Sequence, residues 1–168
     1  SIVTNVIATL DIINCAAEKF SKGMGVQKGS YPIDQLNITG LDTDYVLYKT
    51  SFTSSSNNDT DLTIQSSASQ AFYISFDGGI SFPASVMNID KGSYDWTATI
   101  SLKGVKVGQR YDLHILSESL GIENYGDLTP CLYKGIIGDI TVGGKSIYKG
   151  EWTMIKGLDG EASNGSEP

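Results

Sequence analysis

From residue 45 onward, apolar and polar side chains alternate with a period of two, and this pattern limits the possible folds more than any other feature of the chain. The clearest run is YDWTATISLK, residues 94–103. There Tyr94, Trp96, Ala98, Ile100 and Leu102 alternate with Asp95, Thr97, Thr99, Ser101 and Lys103. Successive strand side chains point to opposite faces, so such a segment has one face for a core and one for water. YVLYKTSF puts Val46, Tyr48, Thr50 and Phe52 on one face. DLTIQ supplies Leu62 and Ile64, AFYISF supplies Phe72, Ile74 and Phe76, and RYDLHIL supplies Tyr111, Leu113 and Ile115. Asp77-Gly78-Gly79 and Gly143-Gly144 provide the positive φ angles of tight hairpins. DITV, KSIY and EWTMI read as the closing strands, while residues 53–61 and 117–130 read as exposed loops.

The first 22 residues do not alternate. Val3, Val6, Leu10, Ile13, Ala17 and Phe20 recur at steps of three and four, the seam of an amphipathic helix. At about 100° per residue they form one stripe, with Thr4, Asp11, Asn14 and Glu18 on the far side. Gly23 and Gly25 are stop signals, and Lys19 and Lys22 complement the negative end of the helix dipole. The expected fold is therefore α+β: a long N-terminal helix packed on an antiparallel sheet of about six to eight strands. The chain of 168 residues reads as a single domain. Residues 1–22 are its helical stem, 23–44 a helix-to-sheet loop, 45–156 the sheet region and 157–168 a flexible acidic tail.

A net charge of −7, with the Lys and Arg residues scattered, argues against nucleic-acid binding, because no basic patch can displace counterions from phosphates. Abundant Gly, Ser, Thr and Asn with only 18% charged residues fit an extracellular β-rich protein. No stretch is long and apolar enough to span a bilayer. The start at Ser1 without Met reads as a processed or trimmed chain. Cys15 and Cys131 fit no metal or redox spacing, leaving two buried thiols or one disulfide. The disulfide is favoured, at about 4–5 kcal/mol in the chain-entropy model. Sequons at Asn37, Asn58 and Asn164 are common by chance in so Asn- and Thr-rich a chain.

Residues able to do chemistry are sparse. His114, the only histidine, lies opposite Tyr111, Leu113 and Ile115, and no GxSxG elbow accompanies it. One His and two distant Cys are too few for a zinc site. Glu118, Glu123, Asp127 and Glu151 are carboxylates, but no spacing selects a glycosidase pair from them. Asp42, Asp44, Asp59 and Asp61 offer alternating oxygen ligands and are weak calcium candidates, without the Gly and closing Glu of a full calcium loop. The Gly-rich stretch GMGVQKG closes the expected helix rather than opening one, the wrong polarity for phosphate. No cofactor and no enzymatic activity are expected.

A helix with an apolar seam, a Gly-containing loop, GSYP at Gly29–Pro32 followed by Ile33, Asp34, Gln35 and Leu36, and then an antiparallel sheet together resemble the type IV pilins and pseudopilins. The similarity in residues covers 1–36; beyond that it is one of architecture. The family's strongly apolar N-terminal half-helix is absent, so the resemblance implies a soluble piece lacking it. It further implies a structural subunit of a bacterial surface filament, assembling with copies of itself or related pilins through Val3, Val6, Leu10, Ile13, Ala17 and Phe20. The missing segment would hold it in the inner membrane, and its loops would adhere to a host or environmental surface. A Cys15–Cys131 bond would then tie the stem to the sheet.

The rival reading is an extracellular β-sandwich adhesin or carbohydrate-binding module, with residues 2–12 as a strand. Tyr125, Tyr133 and Trp152 would be its aromatic platform. A viral or phage structural domain is a third reading, and it predicts a closed oligomer.

Overall fold

A computed structural model describes residues 25–40, 43–67, 70–76, 79–88, 96–120 and 133–157, with the backbone alone for 79–88. Ten strands and one short helix make up this part. They are β1 (Gly25–Gly29), α1 (Gln35–Thr39), β2 (Tyr45–Thr53), β3 (Asn58–Ser66), β4 (Gln70–Phe76) and β5 (Gly79–Asn88). There follow β6 (Trp96–Val105), β7 (Arg110–Ser119), β8 (Ile140–Val142), β9 (Lys145–Ser146) and β10 (Trp152–Lys156).

All pairings are antiparallel and form two sheets. One has six strands in the order β1-β10-β2-β7-β4-β5, the other four in the order β6-β3-β8-β9. The chain crosses from one sheet to the other between β2 and β3, β3 and β4, β5 and β6, β6 and β7, β7 and β8, and β9 and β10. Apart from β4–β5 and β8–β9, neighbours within each sheet are therefore not consecutive in sequence, as in a β-sandwich.

The alternating residues account for the core. Val46, Tyr48 and Phe52 of β2, Phe72 and Ile74 of β4, and Leu113 and Ile115 of β7 face Leu62 and Ile64 of β3 and Ala98, Ile100 and Leu102 of β6 in one continuous cluster. Phe72 stacks on Trp96 across the two sheets, with ring centroids 6.1 Å apart at 19°. Phe52, Phe76 and Tyr111 form an aromatic group at one end. Each fully buried aliphatic or aromatic side chain contributes about 1.5–3 kcal/mol.

This arrangement overturns the α+β expectation. The described chain is nearly all antiparallel strand, and among the described residues no helix reaches seven residues. Alternation fixes which side of each strand is buried but not what covers it, and here a second sheet provides the cover. The helical stem of 1–22, with its seam Val3, Val6, Leu10, Ile13, Ala17 and Phe20, lies outside the described residues, as do Cys15 and Cys131. The pilin architecture and its filament are withdrawn, because the described chain is a two-sheet β fold without the helix they need; the expected Cys15–Cys131 bond falls on residues outside the described ones. No helix among them is long and apolar enough to cross a membrane.

The segment expected as a loop, 23–44, holds structure of its own. β1 is an edge strand exposed along its whole length, pairing Gly25 with Lys156 through Gly29 with Trp152. α1 is capped by Asp34, whose Oδ1 accepts from the Asn37 N–H at 3.3 Å. The expected loop at 53–61 shrinks to residues 54–57, because Asp59–Asp61 belong to β3. Of the loop expected at 117–130, Ser117–Ser119 belong to β7, and residues 121–130 lie outside the described residues.

Candidate functional site

Three features of the sandwich stand apart from its main core, and the second and third are open to a ligand. The first is on the outer face of the six-stranded sheet. Leu47, Leu116 and Ile155 point away from the main core, lie side by side in register and are buried with Tyr45 and Tyr73 packed against them. The Glu118 carboxylate accepts from the Tyr45 hydroxyl at 3.2 Å and from the Tyr73 hydroxyl at 2.8 Å. Both oxygens are thus held, and Glu118 joins the tyrosines into a brace over the apolar patch. His114 lies in the next rank, opposite Lys49 on one side and Ser75 on the other.

The brace leaves a pH signature. Burial pushes the Tyr73 phenol well above its usual range, and the hydrogen bond to Glu118 and that carboxylate's charge push it further. Burial also raises Tyr48 in the main core. Both stay protonated in the folded state while the unfolded chain ionises near pH ~10. Above that pH the unfolded state binds fewer protons than the native one, so stability falls as pH rises. Urea midpoints should drop between about pH 8 and about pH 11, and Tyr73→Phe should flatten the slope. A slope unchanged in Tyr73→Phe would remove Tyr73 as a cause.

The second feature is aromatic. Tyr31, directly before Pro32, stacks on Tyr148 with ring centroids 5.9 Å apart and planes at 16°. Tyr31 is 50% exposed, whereas Tyr148 leans against the core. The backbone holds this pair from both sides. The Gly150 N–H donates to Ser30 O at 2.9 Å, and the Trp152 Nε1–H donates to Tyr148 O at 2.9 Å. Lys149 and Glu151 are exposed beside it in the chain.

The third is a polar cleft of about 550 Å³ where β3 meets the β8–β9 turn, lined by Ser56, Asp59, Thr60, Asp61, Thr63 and Thr141 together with the turn glycines. Gly143 and Gly144 have φ of 58° and 78°, the left-handed region that favours glycine.

The residues singled out from sequence are dispersed. Trp152 is no platform: it is 2% exposed, in the core, with its ring edge against Tyr48 at 6.4 Å and 86°. Tyr133 is 53% exposed, and Tyr125 lies outside the described residues. Of the calcium candidates, Asp59 forms an ion pair with Lys103 at 2.8 Å. Asp61 lines the cleft beside it, Asp44 is exposed elsewhere and Asp42 is outside the described residues. No group of three acidic, His or Cys ligands occurs among the described residues. Glu118 is engaged by tyrosines and Glu151 is exposed, while Glu123 and Asp127 lie outside the described residues.

Sequence reasoning passed over Tyr31 because GSYP read as a pilin loop. A lone Tyr before Pro carries no sign of its partner 117 positions away.

No family model matches the chain. Probable beta-galactosidase 2 of Dictyostelium discoideum is 32% identical over 62 residues, which are 37% of this chain and 8% of that protein. The chain thus spans a small fraction of the curated relative that it matches.

Proposed function

We propose that this chain is a carbohydrate-recognition β-sandwich, non-catalytic in itself and extracellular, an accessory part of a protein that acts on β-galactosides. The observation that carries the reading is the half-exposed Tyr31 stacked on Tyr148. One face of a galactopyranoside is a run of C–H groups, and its rim is hydroxyls. A rigid tyrosine offers such a face apolar contact while its own hydroxyl stays wet. Tyr148 pre-orients Tyr31, so little side-chain entropy is lost on binding. The partial similarity to a beta-galactosidase supports the choice of galactoside. Its short reach into a far longer protein supports an accessory role rather than a catalytic one.

In a titration with a β-galactan oligosaccharide followed by NMR, the Tyr31 and Tyr148 resonances should shift. Tyr31→Ala should weaken binding by about tenfold. Its thermal midpoint should move little, because half of that side chain is already in water. Unchanged affinity in Tyr31→Ala would end this reading of the pair.

A further inference from the structure

We infer that Asn58 is an N-glycosylation site, its side-chain amide the acceptor of an oligosaccharide carried on a polyisoprenyl diphosphate. The argument begins two positions on, at Thr60. Thr60 lies on the inward face of β3 with Leu62 and Ile64, opposite Leu102 of β6, and is only 7% exposed. Among the described residues its hydroxyl has no hydrogen-bond partner. A buried hydroxyl gives up its water and here gains nothing back, whereas valine has the same shape without that cost. The alternation of β3 therefore asks for valine, and the chain has threonine. The other hydroxyl on this face, that of Ser66, donates to Gly135 O at 2.6 Å and so has a place in the fold.

Asn58 raises the same question. Its φ is 73°, a conformation that glycine adopts without strain and asparagine only tolerates. Its side chain is exposed and has no hydrogen-bond partner among the described residues. The neighbouring Asn57, by contrast, accepts from the Val107 N–H at 3.0 Å. Neither Asn58 nor Thr60 is the residue that the fold asks for at its place. Together they are the Asn and Thr of Asn-Asp-Thr, the acceptor signal that a transferase reads on the chain before it folds.

The same test sets Asn37 aside. Its Nδ2 donates to the Asp34 carboxylate that caps α1, and the Thr39 hydroxyl donates to Gln35 O at 2.9 Å. The helix accounts for both residues. Asn164 lies outside the described residues. The position of Asn58 also suits a bulky modification. Ile147 N donates to Ile140 O, and Ile140 pairs with Ile64, so the segment leading to Tyr148 meets β3 about 20 Å from Asn58. A glycan there leaves the tyrosine pair open.

Transfer forms a bond from Asn58 Nδ2 to C1 of the first sugar and breaks the bond between C1 and the diphosphate oxygen. The polyisoprenyl diphosphate leaves with the electron pair, and the amide nitrogen loses one proton. A transferase of the secretory pathway carries this out, so the inference rests on the extracellular part of the reading above and not on its galactoside.

The full chain would be secreted from eukaryotic cells, and its intact mass and peptide map taken before and after peptide N-glycosidase, which converts an occupied Asn to Asp. Asn58 should be occupied and Asn37 unmodified. Asn58→Gln and Thr60→Val should each lose the glycan at this site, and Thr60→Ser should keep it. Made without the glycan, Thr60→Val should melt at an unchanged or higher temperature than the wild-type chain, because the hydroxyl that it removes has no partner. Three results would overturn the inference: a secreted chain bare at Asn58, a glycan that survives Thr60→Val, or a lowered melting temperature in Thr60→Val that gives the hydroxyl a structural role. Failure to bind galactan with Asn58 occupied would remove only the proposed platform.

Discussion

Replacing Trp152 with alanine is expected to destabilise the protein by about 3–5 kcal/mol, the range for removing a large aromatic side chain from a packed core. Trp152 is 2% exposed, and it sits at the start of β10 opposite Gly29 of β1. Its ring edge meets the Tyr48 ring, and both belong to the central cluster. No small movement closes a void of that size between two sheets. Two further losses follow from its position. The Nε1–H bond to Tyr148 O disappears, and with it one of the restraints on the aromatic pair. Trp152→Phe keeps most of the apolar area but not that bond, so it separates packing from orientation. Urea unfolding of the three proteins reads the stabilities, and galactan titration reads the pair. A loss of only a few tenths of a kcal/mol in Trp152→Ala, with binding abolished, would return Trp152 to the surface role that its composition first implied.

That earlier implication shows what the sequence carries and what it does not. Trp152 and Met154 share a parity, and both are buried, so EWTMI held the inward direction of this tryptophan in its own alternation. The same parity rule places Val46, Tyr48 and Phe52, or Ala98, Ile100 and Leu102, on the buried side with no knowledge of topology. It fails at Leu47, Leu116 and Ile155, which break the alternation and form a second cluster on the outer face. A strand buried on both faces at its centre reads locally as a continuous apolar run. Pairing of strands is less legible still: β2 lies between β7 and β10, neither of them its neighbour in sequence. An element that buries one face can be satisfied by a helix or by another sheet, and the stem-like pattern of 1–22 made the helix seem the nearer cover. The candidate sites were illegible for the same reason. Tyr31 needs Tyr148, and that pairing leaves no mark in the spacing of residues.

The buried polar network at one end of the sandwich is the extreme case, and Gln70 is its centre. Gln70 is fully buried, at 0% exposure, at the start of β4. Its Nε2 lies 2.7 Å from Ser117 Oγ, 2.7 Å from Glu118 O and 3.2 Å from Gln35 Oε1. Its Oε1 accepts from the Gly135 N–H at 3.1 Å. Gln35 Oε1 also accepts from Ser117 Oγ at 2.7 Å, while its own amide donates to Asp44 O at 2.6 Å. Four separate segments therefore meet through two glutamine side chains. Gln70→Leu is expected to cost about 3 kcal/mol or more, because it strands the Gly135 N–H and the Glu118 carbonyl away from water at about 1–3 kcal/mol each. Gln35→Leu should be comparably damaging, and the double variant should be less destabilised than the sum, with a coupling of about 1 kcal/mol or more. The network also reaches the proposed platform. Gln35 N donates to Lys134 O, and Tyr48 donates to Ile33 O at 2.8 Å, which pins the chain just after Tyr31. Gln70→Leu should therefore weaken galactan binding at Tyr31 under conditions where the protein is still folded. Additive stabilities in the double-mutant cycle would show that the two glutamines act alone, and the end of the sandwich would then owe its order to the apolar core beneath it.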